Sequence, residues 1–224
     1  MSTREKILDC AKNLFFTIGY DKTSVQKIID EVGIAKGTFY HHFKTKEQLL
    51  DELTDSLIEV EVNQTLETVL SSDWDAITKF NNMVNRQSDW KINHFELLYT
   101  VLKAYYSENN HFFRELMRQK NIRNYAPIFE KIIEQGIKEG TFKTAYPKEM
   151  SEMVLRISNA ESEEILNIML NHSMYEAPAK EVTRRYQMLV YAMEKILGAK
   201  EGSIKIEVEE IITEFIEFMK QKEA

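Results

Sequence analysis

The sequence predicts an all-α protein: an N-terminal domain of three helices arranged as a helix-turn-helix, followed by a larger helical body. Three observations lead there. Apolar residues recur at spacings of three and four along most of the chain, the period of a helix with one buried face. Breakers are sparse, with 7 Gly and 3 Pro in 224 residues, too few for the many turns of a β fold. Residues 23–46 place a glycine between two short amphipathic stretches, the pattern of two short helices joined at a steep angle.

The first helix is expected from about Thr3 to Ile18, with Ile7, Ala11, Leu14 and Ile18 on one face and Gly19 as its stop. The second begins at Thr23 or Ser24, both good caps, and Gln26 stands at capping-box distance from Thr23. Val25, Ile28, Ile29 and Val32 supply its buried side, and Gly33 allows the left-handed turn that ends it. The third runs from about Lys36 to Phe43. A fourth, long helix opens at Thr45-Lys46-Glu47 and continues through Leu49, Leu50, Leu53, Leu57 and Val60. Further helices are expected at about 74–88, 93–106, 110–138, 147–172, 179–197 and 204–221. Pro127 should kink or break the 110–138 segment. Pro178 lies near a helix start, where proline is tolerated. The boundary between domains is placed at 46/47, giving a domain of 1–46 and a body of 47–224 entered through the fourth helix.

Composition narrows the function classes. Hydrophobic residues make up 43% of the chain, enough for a packed core. No apolar run reaches the ~18 residues of a membrane span, and Met1–Leu14 lacks a signal-peptide core, so a cytoplasmic protein without membrane partners is expected. The single cysteine, Cys10, excludes an internal disulfide and reads as a small packed hydrophobe. Nucleophile elbow, zinc-protease, phosphate-loop and dinucleotide motifs are all missing, so no enzyme and no cofactor is expected. The net charge of −7 is unevenly spread: residues 1–46 hold eight Lys/Arg against five Asp/Glu, a balance of +3, which leaves −10 for the rest. A basic head on an acidic body suits contact with nucleic acid.

The third helix has side chains fitted to that contact. Lys36 offers a cation for phosphate or guanine, and Gly37 lets backbone approach closely. Thr38 carries a hydroxyl and a methyl, and Tyr40, His41 and His42 bring polar tips to a surface. Phe39 and Phe43, four residues apart, lie on the opposite face as anchors. Lys46 stands where a helix start favours phosphate. His41 and His42 are adjacent and lack metal-ligand spacing, so no metal is expected.

The stretch G-I-A-K-G-T-F-Y-H-H-F-K-T-K-E-Q-L-L, residues 33–50, closely resembles the TetR (tetracycline-repressor) family, as do T-S-V-Q-K-I-I and F-F-T-I-G-Y-D-K-T upstream of it. G-I-K-E-G-T-F (136–142) resembles a looser feature of the family body. The resemblance covers roughly the first 55 residues, and it implies a sequence-specific transcriptional regulator, usually a repressor. By that resemblance, DNA contacts come from Thr23 or Ser24, Lys36, Gly37, Thr38, Tyr40, His41, His42 and Lys46. Ile29 and Val32 replace residues that are usually small in the family. Ala35 replaces a common serine or threonine, so a helix cap worth about 1 kcal/mol is missing.

The resemblance also implies a homodimer on palindromic operator DNA, paired through the last two helices of the usual body as a four-helix bundle. Ile157, Ile165, Ile168 and Met169 in one, with Val182, Tyr186, Leu189 and Met193 in the other, are the candidate interface. The same stripes would equally serve the core of one subunit. An effector pocket is implied among the aromatic and methionine-rich middle helices: Phe80, Met83, Trp90, Phe95, Tyr99, Tyr105, Tyr106, Phe112, Phe113, Met117, Tyr125 and Phe129. Any helical core needs such residues too. Glu96, Glu134 and Glu163 are candidates for a cationic effector or simply solvated. Segment 204–221, beyond the usual body, has an apolar face of Val208, Ile211, Ile212, Phe215 and Met219 that covers a pocket, extends the dimer or packs on the core. Control by a protein partner instead of a small molecule is the alternative.

Overall fold

The computed structural model describes residues 1–85, 99, 102, 105, 106, 108–206 and 208–223, without the side chains of 56–67, 108 and 223. Its helices are α1 (Thr3–Thr17), α2 (Val25–Val32), α3 (Lys36–His42), α4 (Lys46–Thr65), α5 (Ala76–Asn85), α6 (His111–Glu139), α7 (Pro147–Leu170), α8 (Pro178–Leu197) and α9 (Glu209–Glu223), and no strand occurs among the described residues. Trp90, Phe95, Glu96 and most of the helix expected at 93–106 lie outside the described residues. The chain divides into two compact units, Met1–Glu61 with Thr100–Lys120, and Val62–Tyr99 with Asn121–Ala224.

In the first unit the caps set the helix ends. Ser2 and Glu5 form a reciprocal capping box at the start of α1. Ser24 caps α2, accepting the Lys27 N–H at 3.1 Å, and Gly33 closes that helix in the left-handed conformation, φ +73°. Thr45 accepts the Gln48 N–H at 3.0 Å and starts α4. Ile7, Ala11 and Phe15 of α1, Ile28 and Ile29 of α2, Phe39 and Phe43, and Leu49, Leu50 and Leu53 of α4 form one buried cluster. Each fully buried side chain of this size contributes about 1.5–3 kcal/mol. The bulky Ile29 is accommodated, 4% exposed.

Phe113 at the start of α6 belongs to the same cluster, with Tyr105 and Met117 packed against it. These three were expected at an effector pocket. They support the helix-turn-helix instead, because the apolar face of residues 105–117 is spent on α1 and α4: Phe113 sits edge-on to Phe16, ring centroids 6.0 Å apart. Helix periodicity marks such a face as buried without saying against what.

In the second unit, Phe80 packs edge-on against Phe129 and Phe142 at 5.3 and 5.7 Å. The approach of α6 to the following turn is so close that a Cβ on Gly136 would lie 2.2 Å from the Phe142 ring. Pro127 neither breaks nor ends α6. It is exposed, so the carbonyl that loses its helical donor can be met by solvent.

The apolar stripes of the two candidate dimer helices largely face the interior of a single subunit. Ile165, Ile168 and Met169 of α7 and Val182, Leu189 and Met193 of α8 are 0–8% exposed within one chain, and α7 and α8 pack on each other. Ile157 and Tyr186 are half-buried. The apolar side chains left outward on these helices are Met153, Met188 and Tyr191. In the C-terminal segment, helix starts only at Glu209. Residues 203–205 form a non-helical strap, which Asn81 holds by accepting the Lys205 N–H at 3.0 Å and donating to the Ser203 carbonyl at 3.0 Å. Buried Glu194 accepts the Ile204 N–H at 3.0 Å. Phe215, Ile216 and Met219 of α9 are buried, so this face packs on the core, while Ile204, Ile206, Val208 and Ile211 of the same extension line a cleft. No helix among the described residues is long and apolar enough to cross a membrane.

Candidate nucleic-acid interface

Two phenylalanines fix how α3 is rotated. Phe39 and Phe43 are fully buried, their rings 6.0 Å apart, and the Arg4 guanidinium lies 5.3 Å from the centre of the Phe43 ring. With that face inward, Lys36, Gly37 and His41 are exposed, Tyr40 is 38% exposed, and Thr38 and His42 are half-buried. A Cβ added to Gly37 would meet nothing within 4 Å, so this backbone borders open space. The His41 and His42 rings meet edge-on at 5.1 Å. No group of three metal-ligating side chains occurs among the described residues.

The flanking candidates separate into exposed and engaged. Ser24 is exposed at the start of α2. Thr23 is 1% exposed and its hydroxyl donates to the Gly19 carbonyl at 2.8 Å, so it holds the turn and has no free face. The Thr23–Gln26 capping box is accordingly not formed, and Gln26 donates to Asp30 instead. Lys46 is half-buried; its ammonium donates to the Tyr20 carbonyl at 2.9 Å and lies 4.0 Å above the Tyr20 ring. Burial pulls its pKa down, against the opposing pull of Asp21 and Glu47. The Tyr20 carbonyl takes one of its three N–H donors.

Two supporting groups were not legible in the sequence. Asn110, 2% exposed, hydrogen-bonds to Tyr20 and Phe15. Lys120, 5% exposed, meets the Asp51 and Asp55 carboxylates, each at 2.7 Å, and the Asp51 carbonyl at 2.6 Å. An asparagine before a helix reads as a cap, and a lysine on a helix as a solvated charge. Only tertiary packing turns them inward.

The other effector-pocket candidates are dispersed. Phe80, Phe129 and Tyr125 are buried in the second unit's core, Met83 is half-buried, and Tyr99 lies edge-on to Phe218 at 6.3 Å. Phe112 stacks on Tyr20 at 5.5 Å, and Tyr106 meets Tyr105 edge-on. Glu134 and Glu163 are exposed. A cleft of about 1070 Å³ opens elsewhere in this unit, lined among others by Trp74, Asn82, Tyr186, Gln187, Val190 and Ile206.

The helix-turn-helix geometry has a counterpart in known proteins. The sequence profile described as bacterial regulatory proteins, tetR family, matches residues 7–53, and that of the tetracyclin repressor-like C-terminal domain matches residues 101–176. The chain belongs to the TetR family. It is 28% identical over 166 residues to the transcriptional repressor KstR2 of Rhodococcus jostii, covering 68% of this chain and 74% of that protein. It spans less than half the length of several further curated relatives. SmeT, the repressor of the Stenotrophomonas maltophilia multidrug efflux pump SmeDEF, superposes with a TM-score of 0.56 at 21% identity, over 92% of this chain and 94% of that one. RolR in complex with resorcinol superposes with a TM-score of 0.57 at 18% identity, over 94% and 93%. These likenesses show the fold. By its two family matches, this TetR-family member is a DNA-binding regulator.

Ala35 leads into α3 with extended backbone, φ −71° and ψ 148°, and no side-chain cap. Ala35→Ser should supply the missing acceptor and stabilise α3 by about 1 kcal/mol. Slower amide exchange of Gly37, by about fivefold, is the expected reading, since the Thr38 N–H already donates to the Ala35 carbonyl at 2.9 Å; unchanged exchange of Gly37 would contradict the added cap.

Proposed function

We propose that this TetR-family chain is a repressor that binds a palindromic operator as a homodimer and leaves it when a small molecule occupies the body. Residues 1–46 are the reading domain, and 47–224 form the effector and dimerisation domain. The observation that carries the reading is the outward face of α3, with Lys36, Gly37, Tyr40 and His41 exposed on a helix that Phe39 and Phe43 lock to the core. A helix held this way can enter a major groove with its N-terminal residues at base edges, while Ser24 and Lys46 meet phosphates on either side. TetR-family regulators typically bind DNA as homodimers. Two-fold symmetry places two such helices on two half-sites. The outward Met153, Met188 and Tyr191 of α7 and α8 supply the apolar surface for the pairing.

A small molecule as the controlling signal is favoured over a protein partner by the cleft at Trp74, Tyr186 and Val190. Its volume, about 1070 Å³, is that of a site for a small organic ligand. The neighbour RolR is described with the aromatic diol resorcinol, and the mixed aromatic and amide lining here suits a ligand of the same class. Release requires the ligand to prefer the state that cannot grip the operator by a few kcal/mol.

Gly37 separates DNA contact from a merely structural α3. In an open helical position, Gly37→Ala should raise stability by roughly 0.5–1 kcal/mol. If that backbone lies against a groove, the added methyl should weaken operator binding in a gel-shift titration. Stability and affinity should therefore move in opposite directions; affinity that holds or improves would sink the assignment of α3 to the groove. For the cleft, Val190→Trp should cancel the thermal stabilisation given by small aromatic alcohols, beginning with resorcinol, and leave operator affinity intact. A ligand at a hundredfold its Kd stabilises by about 2.7 kcal/mol, and stabilisation that survives the substitution would place the effector elsewhere.

A further inference from the structure

The turn from Gly19 to Ser24 joins α1 to α2 and carries the α2 cap, and it is held from a distant stretch of chain. The turn Glu108–Asn110 lies against it. Asn110 uses both ends of its buried carboxamide there: the oxygen accepts the Tyr20 N–H at 2.6 Å, and the nitrogen donates to the Phe15 carbonyl at 3.1 Å. The Asn109 carbonyl accepts the Asp21 N–H at 2.9 Å. A Cβ on Gly19 would lie 2.5 Å from the Asn109 Cβ, and Gly19 already holds φ +92°, so the fit depends on that glycine.

The Tyr20 carbonyl faces the other way, toward the DNA-facing groups. It accepts the Thr23 N–H at 3.1 Å and the Lys46 ammonium at 2.9 Å. Hydrogen bonds therefore lead from Asn110 to the Tyr20 N–H on one side of the Tyr20 Cα, and from the Tyr20 carbonyl on its other side to Lys46 and to the backbone just before Ser24; the peptide that carries this carbonyl is itself held through its Asp21 N–H by Asn109. A buried apolar residue at 110 would fill space equally well. A carboxamide satisfied at both ends also sets the position of the loop. Helix α6 begins at the next residue, His111, and nine residues farther on Lys120 ties it to Asp51 and Asp55 of α4.

We propose that Asn110 is a positioning residue for operator recognition, setting through the backbone of Tyr20 the Lys46 ammonium and the Ser24 end of α2. The assignment rests on the DNA-binding reading above. Its test is a double-mutant cycle on the full-length chain, using a duplex selected in vitro with the wild-type protein. Asn110→Ala should weaken binding about tenfold and lower the salt slope by roughly one phosphate contact, about 0.9 in log–log slope. In a Lys46→Ala background the same change should cost less than about threefold, because the two act through one path. Should Asn110→Ala melt below the assay temperature, Asn110→Asp, which keeps an acceptor for the Tyr20 amide, takes its place in the cycle. Equal losses in both backgrounds, or an unchanged salt slope, would overturn the positioning role while leaving the DNA-binding reading intact. A wild-type chain that selects no sequence would overturn both.

Discussion

The burial of Phe39 and Phe43 is the constraint on which the outward face of α3, and with it the proposed function, depends. Four residues apart on a short helix, they lie on one side of it, and both are fully buried against Ile28 and the leucines of α4. Once that side is inward, the outward placement of Lys36, Gly37, Tyr40 and His41 follows from helix geometry alone. α3 has only seven residues and no side-chain cap. So short a helix is not stable by itself in water, so its order comes from these two rings and from the left-handed turn at Gly33.

Around that anchor, the supporting interactions are polar and long-range. Asn110 and Lys120 come from a segment some ninety and seventy residues from the groups they hold. Both are buried, so each would be costly to leave half-made. The charge pattern works at a longer range. On the proposed function, a head of +3 on a body of −10 favours approach to DNA by the head, which selects orientation more than it adds affinity. Such binding is salt-sensitive, since phosphate contacts release counterions.

The head was largely legible in the sequence, because there local signals and tertiary packing agree. α2, α3 and α4 begin within about two residues of their expected starts; Ile7, Ala11, Ile28, Ile29, Phe39 and Phe43 are buried as their periodicity marks, while Leu14, Ile18, Val25 and Val32 are half-buried and Phe15 is buried beside them. The start of α2 was legible only as Thr23 or Ser24, since either hydroxyl can cap a helix; burial of Thr23 against Gly19 leaves Ser24 to do it. In the body, periodicity identified buried faces without their partners. Phe113 and Met117 face α1 and α4, and Ile165, Leu189 and Met193 face their own subunit's core. Residues 203–205 are held out of helix by Asn81, a partner more than a hundred residues away that no local pattern encodes.

The most direct test of the central claim is to map where α3 lies on DNA. An iron chelate attached at His41→Cys, in a Cys10→Ser background, would cut the operator wherever that position sits. The account predicts two symmetric clusters of cleavage, one helical turn of about 34–36 Å or a multiple of it apart, and none from the same reagent on exposed Met174→Cys in the second unit. Cleavage that is diffuse, or as strong from position 174 as from 41, would contradict it.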